Sequence, residues 1–263
     1  MLVNEERYKV AAEKLRDAYG GETVAPLRDF LPPTDVEGAY AIQAINSKFW
    51  SNSGRRIVGR KVGLTAKAVQ QQLGVDRPDF GVLFDDMRLA NGGILDPKKC
   101  IQPKAEAEVA IVLKSDIRSE TVTRSDVLKA ADYAVAALEI VDSRISDWKI
   151  SFADTVADNG SSAFFVLGET KKKLDDLDLY TCGMVMEING QIASLGAGAA
   201  CLGHPLEAAA WLASTLAAQG DHLKAGDVVL TGALGPMVAL APGDEVVARV
   251  GGLGTCQFSY GKG

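Results

Sequence analysis

Two apolar runs that each carry carboxylates constrain this chain more than anything else in it. The first is Lys104-Ala-Glu-Ala-Glu-Val-Ala-Ile-Val-Leu113 and the second is Ala136-Ala-Leu-Glu-Ile-Val141. Both are rich in Val, Ile and Ala and read as strands. Alternation puts Glu106 and Glu108 on one face, roughly 7 Å apart along the strand. From Val109 onward both faces are apolar, so that strand is covered on both sides. Carboxylates at the edge of such a core do not stay ionised without a partner. A hard divalent cation with oxygen ligands is the simplest one. Taken alone, Glu106 and Glu108 fit a solvated edge with Lys104 beside them equally well. Glu139 does not, because every other residue of its run is apolar.

The 263 residues suffice for one large core, or one core plus a small lobe. A charged fraction of 24% suits a soluble globular enzyme, and 27 glycines suit a β-rich fold with many tight turns. The net charge of −6, without a long basic stretch, argues against nucleic acid as a partner. The acidic opening Met1-Leu-Val-Asn-Glu-Glu6 lacks an apolar signal core, and the longest helix-like apolar run, 208–218, is too short for a bilayer. Cys100, Cys182, Cys201 and Cys256 are scattered, which points to a reduced cytoplasmic protein without disulfides or thiolate metal sites. His204 and His222 are the only histidines, each beside helix-boundary signals. They leave little room for a His-based metal site or a Ser-His-Asp triad.

Along the chain, helices are expected over about residues 4–19 and from Thr34 to Trp50. The second opens on a capping box with Thr34 at N-cap and Glu37 at N3. Residues 1–55 are expected to form a helical segment packed on a catalytic domain, 56–263. In that domain the pattern predicts a glycine-interrupted strand at 57–63 and a helix at 66–73 capped by Thr65. It predicts further helices at 123–133 and 205–219, a hairpin turning at Asn189-Gly190, and strands at 228–231 and 246–250. The sum is an α+β fold dominated by short, mixed strands.

Four more segments bear on chemistry. Lys61 interrupts the apolar strand, either as a surface lysine or as a cation that offsets negative charge near the metal and moves protons. Asp79, in Arg77-Pro-Asp-Phe-Gly81, is either a turn former or a loop acid–base. The segment Asp154-Thr-Val-Ala-Asp-Asn-Gly-Ser-Ser162 is an ordinary loop or a cradle for a substrate carboxylate. Gly196-Ala-Gly-Ala-Ala-Cys201 half matches a dinucleotide fingerprint, but it lacks the third glycine and a βαβ setting, so a nicotinamide site is rejected.

Together these segments resemble a known family. They are Gly59-Arg-Lys-Val-Gly-Leu-Thr65, Gln72-Leu-Gly-Val-Asp-Arg-Pro-Asp-Phe-Gly81, Lys104-Ala-Glu-Ala-Glu108, Ala137-Leu-Glu-Ile-Val-Asp-Ser-Arg144, Asp154-Thr-Val-Ala-Asp-Asn159 and Val229-Leu-Thr-Gly-Ala-Leu-Gly-Pro236. In that order they are similar to the 2-keto-4-pentenoate (2-hydroxypenta-2,4-dienoate) hydratases, in the hydratase/decarboxylase branch of the fumarylacetoacetate hydrolase superfamily. The resemblance implies a mixed, rolled, barrel-like β-sheet with flanking helices and a helical N-terminal part. It implies Mg²⁺ or Mn²⁺ on Glu106, Glu108 and Glu139, active-site roles for Lys61 and Asp79, and substrate contacts at Leu64, Ser161, Thr231 and Gly232. The implied reaction adds water to 2-hydroxypenta-2,4-dienoate, giving 4-hydroxy-2-oxopentanoate in meta-cleavage catabolism, by a homo-oligomer. Two other readings stay within the family: a 4-oxalocrotonate (2-oxo-3-hexenedioate) decarboxylase, or a non-catalytic subunit in complex with one. The family's hydrolases use a catalytic His near the start of the catalytic domain; this chain has none before His204.

Overall fold

The structure, a computed structural model, describes residues 2–262, with side chains from Glu5 onward. Met1 and Gly263, the outer limits of the two expected segments, lie outside the described residues. The chain begins with α1 (Leu2–Ala18) and α2 (Val36–Asn52), then β1 (Ile57–Gly63), α3 (Lys67–Gln72) and β2 (Asp79–Phe84). Two short strands, β3 (Arg88–Leu89) and β4 (Ile94–Leu95), precede the long pair β5 (Pro103–Leu113) and β6 (Ala131–Asp142), which are joined through α4 (Arg124–Ala130). Next come α5 (Phe152–Ala157), β7 (Ser162–Leu167), the hairpin β8 (Gly183–Ile188) and β9 (Gln191–Ala197), and α6 (Pro205–Ala218). The chain closes with β10 (Val228–Ala233), β11 (Val238–Ala239), β12 (Glu245–Val250) and β13 (Gly254–Tyr260).

The strands form two sheets. The larger has the order β2-β1-β10-β5-β6-β7-β3, with β11 also on β5; the smaller has the order β4-β13-β12-β8-β9. The larger sheet is mixed, since β1 runs parallel to β10 and its other long pairs are antiparallel. It curls until β2 again meets β7, giving the rolled α+β core that the motifs implied. Its outer face packs on the smaller sheet and on α4 and α6 through residues such as Val109, Ile111, Leu138, Ile140, Leu212 and Val246. Its inner face holds Ala110, Val135, Ala137, Phe165 and Leu230. A third cluster joins Ala12 and Leu15 of α1, Ile42 of α2, and Phe152 and Val156 of α5.

Local expectations fail in five places. Asp79, expected in a turn or loop, is the first residue of strand β2, and the loop expected over 154–162 opens as helix α5. Thr34 is not the N-cap of α2; Asp35 is, accepting from Gly38 N. A carboxylate one residue on reaches the free N–H groups and displaces the hydroxyl. Thr65 does not cap α3, whose N-cap is Ala66 with no side-chain bond. Thr65 is instead turned inward, and its hydroxyl lies within contact of any Cβ placed on Gly232. The helix expected over 123–133 ends at Ala130, because Ala131–Tyr133 already pair with β5. Tertiary pairing overrides the helical propensity of that alanine-rich stretch. Among the described residues no helix is long and apolar enough to cross a membrane.

A buried ion pair fixes the segment between β6 and β7. Arg144 and Asp158 are 2% and 0% exposed, 2.6 Å apart, and Arg144 N also donates to Asp158. Replacing Asp158 by Ala leaves the guanidinium buried and unpaired. That variant is expected to lose about 3–5 kcal/mol of stability, measured as a lower urea midpoint with an unchanged slope.

Candidate metal centre

In the β5–β6 ladder Glu106 stands directly opposite Glu139, and Glu108 opposite Ala137. A like-charged pair facing across strands is destabilising unless something positive lies between or beside it. The ligand oxygens of Glu106, Glu108 and Glu139 all lie within 4.8 Å of one another. Glu108 and Glu139 are fully buried and Glu106 partly so. Gly232 N donates to Glu108 Oε2 at 2.8 Å, which orients that carboxylate. Glu108 Oε1 and both oxygens of Glu139 have no hydrogen-bond partner. Buried anionic oxygens without donors are rare in native proteins, and together they form the oxygen-rich donor set that a hard divalent ion takes.

Lys61 and Asp79 reach the same place from the other end of the curled sheet. On β1 and β2, Lys61 pairs with Gly81 and Gly63 with Asp79. The missing side chain of Gly63 leaves the space that Asp79 Oδ1 occupies, and a Cβ there would also stand 3.2 Å from Lys61 Nζ. Lys61 Nζ is 3.3 Å from Glu139 Oε1, an ion pair outside hydrogen-bond geometry. Asp79 Oδ1 is buried with no partner. Burial, then the charge of Glu139, pushes the Glu106 carboxyl up to about 7 and Glu108 well above the usual carboxylate range. Burial raises Asp79 as well, against the pull of Lys61. Burial opposes the charge on Lys61, but Glu139, Asp79, Glu106 and Glu108 outweigh it and raise its pKa. Were all four carboxylates ionised, one ammonium would leave three negative charges, of which a divalent ion would cancel two.

The structure separates the four residues expected at the substrate. Gly232, in the left-handed region with φ 110°, lines the centre through its N–H to Glu108. The Thr231 hydroxyl is spent in the sheet, donating to Val109 O at 2.9 Å. Leu64 is left-handed (φ 54°), packs toward the cluster of α1, α2 and α5, and accepts from Gln70 Nε2. Ser161 is buried, with its hydroxyl 3.2 Å from that of Thr155.

The polar segment after Ser151, expected as a loop, instead opens on α5 with Ser151 as its N-cap, and it is both anchor and neighbour to the site. Asp154 accepts from Leu27 N at 2.7 Å and pairs with Arg28, tying in the N-terminal helices. The free edge of β2 is closed by side chains. Phe80 N donates to Tyr40 Oη and Phe80 O accepts from Gln43, while both backbone groups of Val82 bond the amide of Asn159. Sequence reasoning missed Tyr40 and Gln43, and it placed Asn159 in a loop or carboxylate cradle without foreseeing its role against β2. Only Asn159 carried a signal, an Asn-Gly pair that favours positive φ.

Residues 56–259 match the model of the fumarylacetoacetate (FAA) hydrolase C-terminal family. The chain belongs to that family. It is 53% identical to the 2-keto-4-pentenoate hydratase of Burkholderia vietnamiensis, over 95% of each chain. It is 54% identical to 2-keto-4-pentenoate hydratase 1 of Dechloromonas aromatica, over 89% of each. Among solved structures it resembles the 4-oxalocrotonate decarboxylase from Pseudomonas putida G7, complexed with magnesium and adipate. There the TM-score is 0.93 and the identity 37%, over 97% of each chain. Neither histidine of this family member joins the acidic centre. His204 caps α6, accepting from Leu206 N at Nδ1, and His222 faces Asp116. The Gly196–Gly198 stretch serves packing, since a Cβ at either glycine would run into a backbone carbonyl, of Leu234 and of Leu179.

Proposed function

We propose that this chain is a metal-dependent hydro-lyase that adds water to 2-hydroxypenta-2,4-dienoate, giving 4-hydroxy-2-oxopentanoate in the meta-cleavage degradation of aromatic compounds. One observation carries the reading. Four buried carboxylate oxygens without donors (on Asp79, Glu108 and Glu139) converge beside one buried lysine. The hydratase names of the relatives near 50% identity support the substrate class.

Glu106, Glu108 and Glu139 would hold Mg²⁺ or Mn²⁺, which supplies Lewis acidity toward the oxygens of a 2-oxo acid. The protein's own groups do the rest. Ketonisation of the dienol moves a proton from the C2 hydroxyl to C5; water then adds across C3 and C4, its hydroxyl going to C4 and its proton to C3. Lys61 Nζ and Asp79 Oδ1 are the groups that take and give these protons. Their burial excludes bulk water, so each proton moves to a defined atom. The ammonium of Lys61 also draws the substrate carboxylate into a site that is otherwise acidic. Leu64, Ser161 and Gly232 border the substrate; Thr231 acts through the sheet that presents Gly232. Ile192 and Leu195, exposed on the β9 edge, suit assembly into a homo-oligomer, and complex formation with a family decarboxylase is read by the same assay.

The test is ultraviolet turnover of the dienoate and of 2-oxo-3-hexenedioate by the purified, chelator-treated protein. Added Mg²⁺ or Mn²⁺ is expected to restore consumption of the dienoate, with little of the dicarboxylate. Faster loss of the dicarboxylate with release of CO₂ would favour the decarboxylase. Silence alone, but activity on mixing with a decarboxylase, would favour a partner subunit.

A further inference from the structure

Between α5 and β7 the backbone stays left-handed for three residues in a row: Asn159 (φ 56°), Gly160 (φ 61°) and Ser161 (φ 54°). L-residues enter that region singly and at a cost, so such a run persists only where its surroundings over-determine it. Here they do. Asn159 Oδ1 accepts from Val82 N at 2.7 Å and its Nδ2 donates to Val82 O at 2.9 Å, as a neighbouring strand would. Asp158, one residue earlier, is locked to Arg144, and Ser161 bonds Thr155.

What this clamp presses on is Lys61. A Cβ on Gly160 would stand 2.7 Å from Lys61 Cε and 3.4 Å from its Nζ, so the bare Gly160 backbone lies on the lysine stem. The Asn159 carbonyl fills the space over Gly81, where a Cβ would also stand 3.3 Å from Lys61 Cγ. A lysine has four rotatable side-chain bonds and large rotamer freedom to lose. The left-handed turn walls in that stem along its length.

We propose that Asn159 is a positioning residue that acts through Lys61. By holding the Asn159-Gly160-Ser161 turn against β2, it confines the Lys61 stem and keeps the ammonium between Glu139 and Asp79. This rests on the reading of Lys61 as a proton-moving residue of the hydration.

A double-mutant cycle tests it. With the Mg²⁺-loaded enzyme and the dienoate, Asn159→Ala is expected to lower kcat by about 30-fold or more, leaving KM and Mg²⁺ affinity within about 3-fold. In a Lys61→Met background the same change is expected to cost under about 3-fold, because the group it positions is gone. Gly160→Ala, which keeps the clamp but puts a methyl on the lysine stem, is expected to behave in the same way and decides the matter if Asn159→Ala does not fold. Equal losses in both backgrounds would overturn the proposal. A second readout needs no turnover: reductive methylation of the folded protein, read by mass spectrometry. Lys61 is expected to be protected in the parent and labelled in Asn159→Ala, with amide exchange in β5 and β6 unchanged. Lys61 still protected in that variant would refute the positioning role. An inactive parent with the expected labelling would refute only the assigned reaction.

Discussion

Glu106→Gln is expected to lower metal-dependent hydration by about 10³-fold or more while leaving a folded protein whose metal-free form is at least as stable as the parent. Three features set both signs. Glu106 faces Glu139 across the ladder, so removing its charge relieves a repulsion. It is the most exposed of the three glutamates, so the neutral amide is solvated at little cost. It leaves the ion pair of Lys61 with Glu139 in place. On the proposed reading the same change removes one of three anionic ligands, and with it the affinity that would support Lewis acid catalysis. A loss of about 4 kcal/mol in transition-state stabilisation corresponds to a factor of about 10³. Mg²⁺ at about 100 times its dissociation constant is expected to stabilise the parent by about 2.7 kcal/mol and the variant hardly at all. Thermal melts with and without Mg²⁺, beside the dienoate assay, read both arms. Full activity in the chelator-treated variant would remove the metal from the reaction.

Strand periodicity exposed the acidic centre because its logic is local: Glu106 and Glu108 share a face, and Glu139 is alone in an apolar run. The sequence could not show that β5 and β6 pair in the register that sets Glu106 against Glu139, because pairing is a long-range choice. The site roles of Lys61 and Asp79 were open from the residues alone, since a lysine beside glycines and an aspartate after a proline have ordinary explanations. The curl of the sheet brings them to the glutamates, with Gly63 leaving room for both. Tyr40 and Gln43 were invisible for a further reason, and Asn159 showed only as part of a segment read as a loop or a carboxylate cradle. Their work is to satisfy backbone groups of an edge strand, and single polar residues on helices and loops carry no mark of that. Thr34 and Thr65 erred in the opposite sense, as hydroxyls in good capping contexts that the tertiary structure used differently.

Lys61→Met is expected to give the reverse signature to Glu106→Gln. The ammonium is 3% exposed and is the cation beside Glu139 and Asp79. Without it, the metal-free protein keeps up to four carboxylates in a buried space with no counter-charge. Breaking a buried pair in this way costs about 3–5 kcal/mol, less whatever the carboxyls recover by taking up protons. A divalent ion meets that deficit directly, so Mg²⁺ is expected to raise the melting temperature of Lys61→Met by more than it raises that of the parent. Hydration is nevertheless expected to fall by about 10²–10⁴-fold, the range for loss of a positioned proton-transfer group. A variant that binds metal more gainfully yet turns over poorly would separate the two proposed roles of the site: glutamates that hold charge and a lysine that moves protons. Were Lys61 only a counter-ion for the acidic centre, saturating Mg²⁺ would restore turnover along with stability, and melts and rates measured on one metal titration decide between the two.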